Sequence, residues 1–98
     1  MEKELGLELL RQELDRIDHN MVQCFERRMA VCREVGVWKA EHGMSVLDAG
    51  REEKVLDSRA AMLKDPSLEA DVRELYQLLM RLSRQAQQRL TGEVNCDA

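Results

Sequence analysis

Apolar residues recur at alternating steps of three and four along the first third of the chain. Ten positions follow this spacing, and nine of them are apolar. Such heptad spacing predicts one long α-helix from Leu5 to about Glu41, with a continuous apolar seam on one side. Gly43 then provides a helix stop. The seam comprises Leu7, Leu10, Leu14, Ile17, Met21, Cys24, Arg28, Val31, Val35 and Trp38.

Two shorter helices are predicted after Gly43. Asp48 is a suitable N-cap for a helix reaching about Leu63, and Asp65-Pro66-Ser67 supplies a cap and a first-turn proline for a third helix ending near Leu90. A single domain over 1–90 is expected, with 91–98 as a polar, disordered tail. The residues expected to face inward are Val55, Leu56, Ala60 and Leu63 in the second helix, and Leu68, Val72, Leu75, Leu79, Leu82 and Ala86 in the third.

The composition favours an all-α fold and argues against some classes of function. Aromatic residues make up 3% of the chain and charged residues 35%, whereas β-sheets draw on aromatic and β-branched residues. The net charge of −4 argues against a nucleic-acid partner. We expect no membrane span and no signal peptide, and therefore a cytoplasmic location. Cys24, Cys32 and Cys96 do not form a disulfide framework; Cys24 is expected in the core and Cys96 in the tail.

The length of the first helix predicts self-association. About 37 residues span roughly 55 Å, whereas a compact 98-residue globule is on the order of 35 Å across. The chain is therefore too small to cover its own seam, and a partner must bury part of it. A second copy related by two-fold symmetry is the simplest partner, so we expect an intertwined homodimeric helical bundle.

Arg28 is the one charged residue of the seam. Burying a guanidinium costs several kcal/mol unless an anion meets it. A salt bridge to a nearby carboxylate is one explanation. The other is a site for an anionic small molecule, because Lys39 follows eleven residues later on nearly the same helix face.

Other polar residues allow both structural and functional explanations. Arg11 is separated from Arg28 by about 26 Å of straight helix, so it reaches the same ligand only from a second protomer; otherwise it is a solvated residue. Asp48, Arg51 and Glu52 serve either as an N-cap with surface charges or as polar site residues. The row Leu75, Leu79, Ser83 and Gln87 either leaves the core at its polar end or lines a site.

Several catalytic patterns are missing from the sequence. It contains no Ser-His-Asp or Cys-His arrangement, no metal-ligand cluster and no glycine-rich phosphate loop. An enzyme built from these residues should need neither a nucleophile nor a cofactor. It would act by holding a reactive conformer and placing charge where the transition state develops it.

Eight polar positions in order on three predicted helices resemble the all-α chorismate mutase family. The likeness is greatest to the mutase domain at the N-terminus of bacterial chorismate mutase–prephenate dehydratase fusions, and it covers nearly the whole chain. It is carried by Leu9-Leu10-Arg11, Ile17-Asp18, Glu26-Arg27-Arg28, Val35-Gly36-Val37-Trp38-Lys39, Asp48-Ala49-Gly50-Arg51-Glu52, Ser83 and Gln87.

The resemblance implies a role for each polar position. Arg28, together with Arg11 of the other subunit, would bind the two carboxylates of chorismate. Lys39 would contact a carboxylate and the ether oxygen, to which Gln87 would also donate. Glu52 would hold the ring hydroxyl. The remaining polar lining would comprise Asp48, Arg51 and Ser83.

Two other functions remain open at this point. An isochorismate pyruvate-lyase shares the fold and the cationic site but eliminates pyruvate, and Glu52 favours the mutase over it. A helical dimerisation module without catalysis would explain the seam, but it gives Arg28 and Lys39 no reason to share a helix face.

Overall fold

The computed structural model describes residues 2–91, with side chains over 4–90, and its regular structure there is helical. Helix α1 comprises Glu2–Glu41, α2 comprises Ala49–Ala61 and α3 comprises Glu69–Thr91, with a 3₁₀ turn at Pro66–Leu68. No strand occurs within residues 2–91, which confirms the all-α prediction. The predicted tail lies outside the described residues from position 92 onward.

The helix ends follow local capping chemistry. Gly43, just past α1, has a φ of 63°, a left-handed conformation that costs glycine little. The Asp48 carboxylate accepts a hydrogen bond from the backbone N–H of Arg51 at 3.0 Å, which confirms the predicted N-cap of α2. Asp65 caps the next segment, but Pro66 opens the 3₁₀ turn rather than α3 itself, which begins three residues later.

The chain divides into two compact units, Met1–Val31 and Cys32–Ala98. The described part of the first unit consists of α1 residues alone. Its large apolar side chains from Leu5 to Phe25, and that of Val31, are 39–63% exposed, whereas Met29 is half-buried. Cys24 is exposed as well, so its predicted place in the core is wrong for the single chain. Within this unit no second element covers the helix, and most of its apolar side therefore stays in solvent.

The second unit has a small core formed around the packing of α2 on α3. The predicted inward residues Val55, Ala60 and Ala86 are buried there. Leu68, in the 3₁₀ turn, and Leu75, in α3, are exposed rather than inward, so the predicted inward row of the third helix is wrong at these two positions. The buried apolar residues are Val46, Val55, Ala60, Met80 and Ala86.

The described helices also bear on the prediction that the chain has no membrane span. Within residues 2–91, none is both long enough and apolar enough to cross a bilayer.

Candidate active site

Two buried polar side chains of α3 bond to the part of α1 that belongs to the second unit. Gln87 Nε2 donates to the backbone oxygen of Cys32 at 2.8 Å. Cys32 Sγ donates to Ser83 Oγ at 3.0 Å, and Ser83 Oγ donates to the backbone oxygen of Leu79 at 2.8 Å. Each bond satisfies a polar group that would be costly to bury alone. Polar contacts therefore join α1 to α3.

The row on α3 that begins with Leu75 is buried at the end that carries its polar residues, Ser83 and Gln87. Ser83 and Gln87 are only 7% and 6% exposed, whereas Leu75, two turns before Ser83, is 43% exposed. One sequence interpretation had this face leaving the core where it becomes polar, and that interpretation is wrong. Two predicted site residues thus lie in the interior of the second unit.

Gly36 allows α3 to approach α1 closely at Gln87. A Cβ atom added at Gly36 would lie 2.8 Å from Gln87 Cγ and 3.3 Å from Gln87 Cα. The first distance is shorter than real Cβ contacts, and the second, to a backbone atom, is a tight contact. The absence of a side chain at Gly36 therefore determines how deeply the Gln87 side chain lies against α1.

Lys39 stands at the C-terminal end of α1, one turn after Gly36. Its side chain is half-buried, and Nζ donates to the backbone oxygen of Val46 at 2.9 Å. An ammonium has three N–H donors, so this bond orients the group without using all of them. Because Val46 is itself buried, the loop before α2 holds the lysine head in a defined position.

Three predicted site residues lie in the first turn of α2. Asp48 and Arg51 are exposed, and their contact is the N-cap bond to the Arg51 backbone. Glu52 is half-buried and forms an ion pair with Arg84 of α3. That pair links the start of α2 to the turn of α3 that also carries Ser83 and Gln87.

Arg11 and Arg28 belong to the first unit. Arg11 is exposed, and Arg28, the charged position within the seam, is half-buried. Seventeen residues of helix separate them, a rise of about 26 Å, so their side chains cannot meet around one small ligand within a chain.

The structure identifies contacts that the sequence did not reveal. Cys32, Val46 and Arg84 each bond to a predicted site residue, and all three lie on another segment of the chain. No spacing rule connects residues 32 positions apart. Gly36 could have been noticed in the sequence. A glycine inside a helix costs about 1 kcal/mol relative to alanine, so its presence indicates close packing against another segment.

The sequence profile of the chorismate mutase type II family matches residues 10–88. The chain belongs to this family. The match spans all three helices and contains every predicted site residue, from Arg11 to Gln87. The resemblance to the all-α chorismate mutases is thereby confirmed, while the role of each site residue stays a prediction.

Two relatives of this chorismate mutase family member illustrate how divergent it is. It is 30% identical over 69 residues to the T-protein of Haemophilus influenzae, covering 70% of this chain and 18% of that protein. It is 29% identical over 82 residues to the 3-dehydroquinate dehydratase of Pyrobaculum aerophilum, covering 84% of this chain and 24% of that protein. The chain thus spans a quarter or less of these relatives' length. No solved structure matches it.

Proposed function

We propose that this protein is a chorismate mutase, which rearranges chorismate to prephenate for phenylalanine and tyrosine biosynthesis. Family membership over residues 10–88 carries the proposal, because the matched region contains all eight predicted polar residues. The reaction is a pericyclic [3,3] shift within one substrate molecule. It requires no nucleophile, metal or cofactor, in keeping with the motifs that the sequence lacks.

Lys39 and Gln87 are the proposed catalytic donors at the breaking bond. Negative charge grows on the ether oxygen as the C–O bond breaks, so an ammonium and an amide N–H stabilise the transition state more than the substrate. Both groups are held before substrate binds, Lys39 by Val46 and Gln87 by Cys32 and Gly36. Pre-organised donors reorganise little during the reaction.

The remaining polar residues would hold the substrate in its reactive conformer. Arg28 would bind a carboxylate, and Glu52 would accept a hydrogen bond from the ring hydroxyl. Ser83, Asp48 and Arg51 would complete the polar lining. Restricting the flexible substrate in this way converts binding energy into orientation of the reacting ends.

A second copy of the chain would complete each site. Arg11 and Arg28 lie too far apart along α1 to hold one chorismate, so we propose that Arg11 comes from the partner subunit. The exposed apolar residues of 5–31 supply the surface for that assembly. In a two-fold dimer that buries this surface, each bound substrate would meet one arginine from each chain.

Loss of chorismate absorbance with purified protein tests the activity directly. Lys39→Ala should lower kcat by roughly 10²–10³, because a charge-assisted contact to a developing oxyanion is typically worth about 3–4 kcal/mol. Lys54→Ala, at an exposed position of α2, is the matched control and should retain activity. Circular dichroism establishes that each variant is folded.

Two results would contradict the proposal. Normal turnover by folded Lys39→Ala would remove Lys39 from the mechanism. Release of pyruvate from isochorismate by the wild type, with no prephenate formed from chorismate, would instead assign the site to a lyase.

Mixing two inactive variants tests the shared site. Arg11→Ala and Arg28→Ala should each be inactive alone. A heterodimer of the two has one site with both arginines intact, so random exchange should restore about a quarter of wild-type activity. The control is each variant taken alone through the same exchange procedure. No recovery, despite subunit exchange demonstrated by mass spectrometry of tagged chains, would contradict a site shared between Arg28 and the partner's Arg11.

A further inference from the structure

The ion pair between Arg84 and Glu52 joins two half-buried side chains, one on α3 and one on α2. Their side chains are 30% and 24% exposed. A second pair between α2 and α3, Arg73 with Asp57 at 3.1 Å, is 33% and 63% exposed and lies toward the opposite end of both helices. The Arg84 pair is therefore more shielded from water and acts within the candidate site.

Arg84 restricts what the Glu52 carboxylate can do. Arg84 Nη1 donates to Oε1 of Glu52, which fixes the carboxylate relative to α3. A carboxylate has about four lone-pair positions on its two oxygens, so the paired group can still accept a hydrogen bond. The pair as a whole, however, has no net charge. A ligand group therefore meets a fixed acceptor rather than an uncompensated anion.

We propose that Arg84 is a positioning residue that makes the Glu52 subsite select a neutral hydroxyl over a cationic group. A hydroxyl group requires only an aligned lone pair, which the Glu52 carboxylate retains when it is bound to Arg84. An ammonium at the same place would be attracted by the carboxylate and repelled by the guanidinium a few ångströms away, so its ionic advantage largely cancels. The inference rests on the proposed function, in which Glu52 receives the ring hydroxyl of chorismate.

The test compares two substrates in four proteins. The substrates are chorismate and its analogue with the ring hydroxyl replaced by an amino group, which is protonated at neutral pH. The measured quantity is the ratio of kcat/KM for the analogue to kcat/KM for chorismate. The proteins are wild type, Arg84→Met, Arg84→Gln and Arg84→Lys, with Arg73→Met as the matched control that removes the second pair between α2 and α3.

Removing the charge at position 84 should raise this ratio about tenfold in both Arg84→Met and Arg84→Gln. An uncompensated carboxylate gains about that much from a charged donor relative to a neutral one. Arg84→Lys keeps a cation beside Glu52 and should stay near the wild-type ratio. Arg73→Met should leave the ratio unchanged, because loss of an ion pair between the helices acts equally on both substrates.

Each outcome separates the inference from the proposed function. If wild type turns over chorismate and the ratio is unchanged in whichever neutral variant folds, the inference is overturned and the proposed function stands. The same holds if both substrates lose activity equally, which indicates a purely structural pair. Absence of turnover in folded wild type overturns both.

Discussion

The two units of the chain distribute apolar and polar side chains in opposite ways. In the first unit, the large apolar residues of α1 lie in solvent, Leu10 and Leu14 among them. In the second unit, Ser83 and Gln87 are buried while leucines of the same helix are exposed. Residue type alone therefore does not decide burial in this protein. What decides it is whether another segment is present to cover the position.

The buried polar groups of the second unit are stabilised by specific partners. Cys32 and the backbone of Leu79 satisfy Ser83 and Gln87, and no buried side-chain nitrogen or oxygen in the described part of the chain lacks a partner. The exposed apolar residues of the first unit have no comparable compensation among the described residues. Under the proposed function, the apolar residues of the first unit would serve assembly, and the buried polar groups of the second unit would serve the reaction.

Leu14→Glu should produce the largest effect, by breaking the assembly that we propose for the first unit. Each two-fold dimer would lose two buried leucines, at about 1.5–3 kcal/mol each, so the dissociation constant should rise by roughly 10²–10⁴. Sedimentation velocity over a concentration series measures this shift. Gln12→Glu adds the same charge at an exposed position on another side of α1 and should change little. A wild-type protein that is monomeric at all concentrations would remove the distinction between the units.

Gln87→Glu should lower activity about a hundredfold at neutral pH and restore it in acid. An ionised carboxylate would face both the Cys32 oxygen and an ether oxygen that gains negative charge, whereas the protonated form donates as the amide does. Repulsion and burial favour protonation in the folded state, so activity and stability should both fall as pH rises through the pKa of the introduced carboxyl group.

A pH–rate profile with parallel melting curves measures the effect at position 87. Gln77→Glu, at an exposed position of α3, is the control and should follow wild type. A Gln87→Glu profile parallel to wild type would mean that this side chain does not face the breaking bond.

Gly36→Ala and Gly6→Ala should have small effects of opposite sign. Alanine is about 1 kcal/mol better than glycine in a helix interior. At Gly6 nothing lies within 4 Å of the added methyl group, so the gain should appear as higher stability. At Gly36 the methyl group meets Gln87, and overpacking of about 1–3 kcal/mol should outweigh the gain. Urea denaturation compares the two, and equal stabilisation would show that Gly36 is not a close-packed position.

Local features of the fold were predictable from the sequence. The heptad spacing predicted α1, and its end before Gly43 followed from a residue that tolerates the left-handed conformation. Asp48 and Asp65 were predicted as caps, because short polar side chains accept bonds from backbone N–H groups two or three residues onward. These features depend only on neighbours along the chain.

The candidate site was predictable only as a set of residue types in order. The family resemblance identified Lys39, Glu52 and Gln87 as site residues. The spacing along each helix, however, does not show which other segments contact their side chains. The seam likewise predicted a helix correctly and said nothing of what would cover it. Cys24 was therefore assigned to a core that the single chain does not form around it.

Sequence by itself determined the helices, their caps and the membership of the polar set, since periodicity and capping act within a few residues. Only the tertiary structure decided that Gln87 lies against Gly36, that Val46 holds Lys39 and that Arg84 pairs with Glu52. Each of these contacts joins segments whose approach depends on how helices pack. That packing results from the summed fit of many side chains, and no local pattern encodes it.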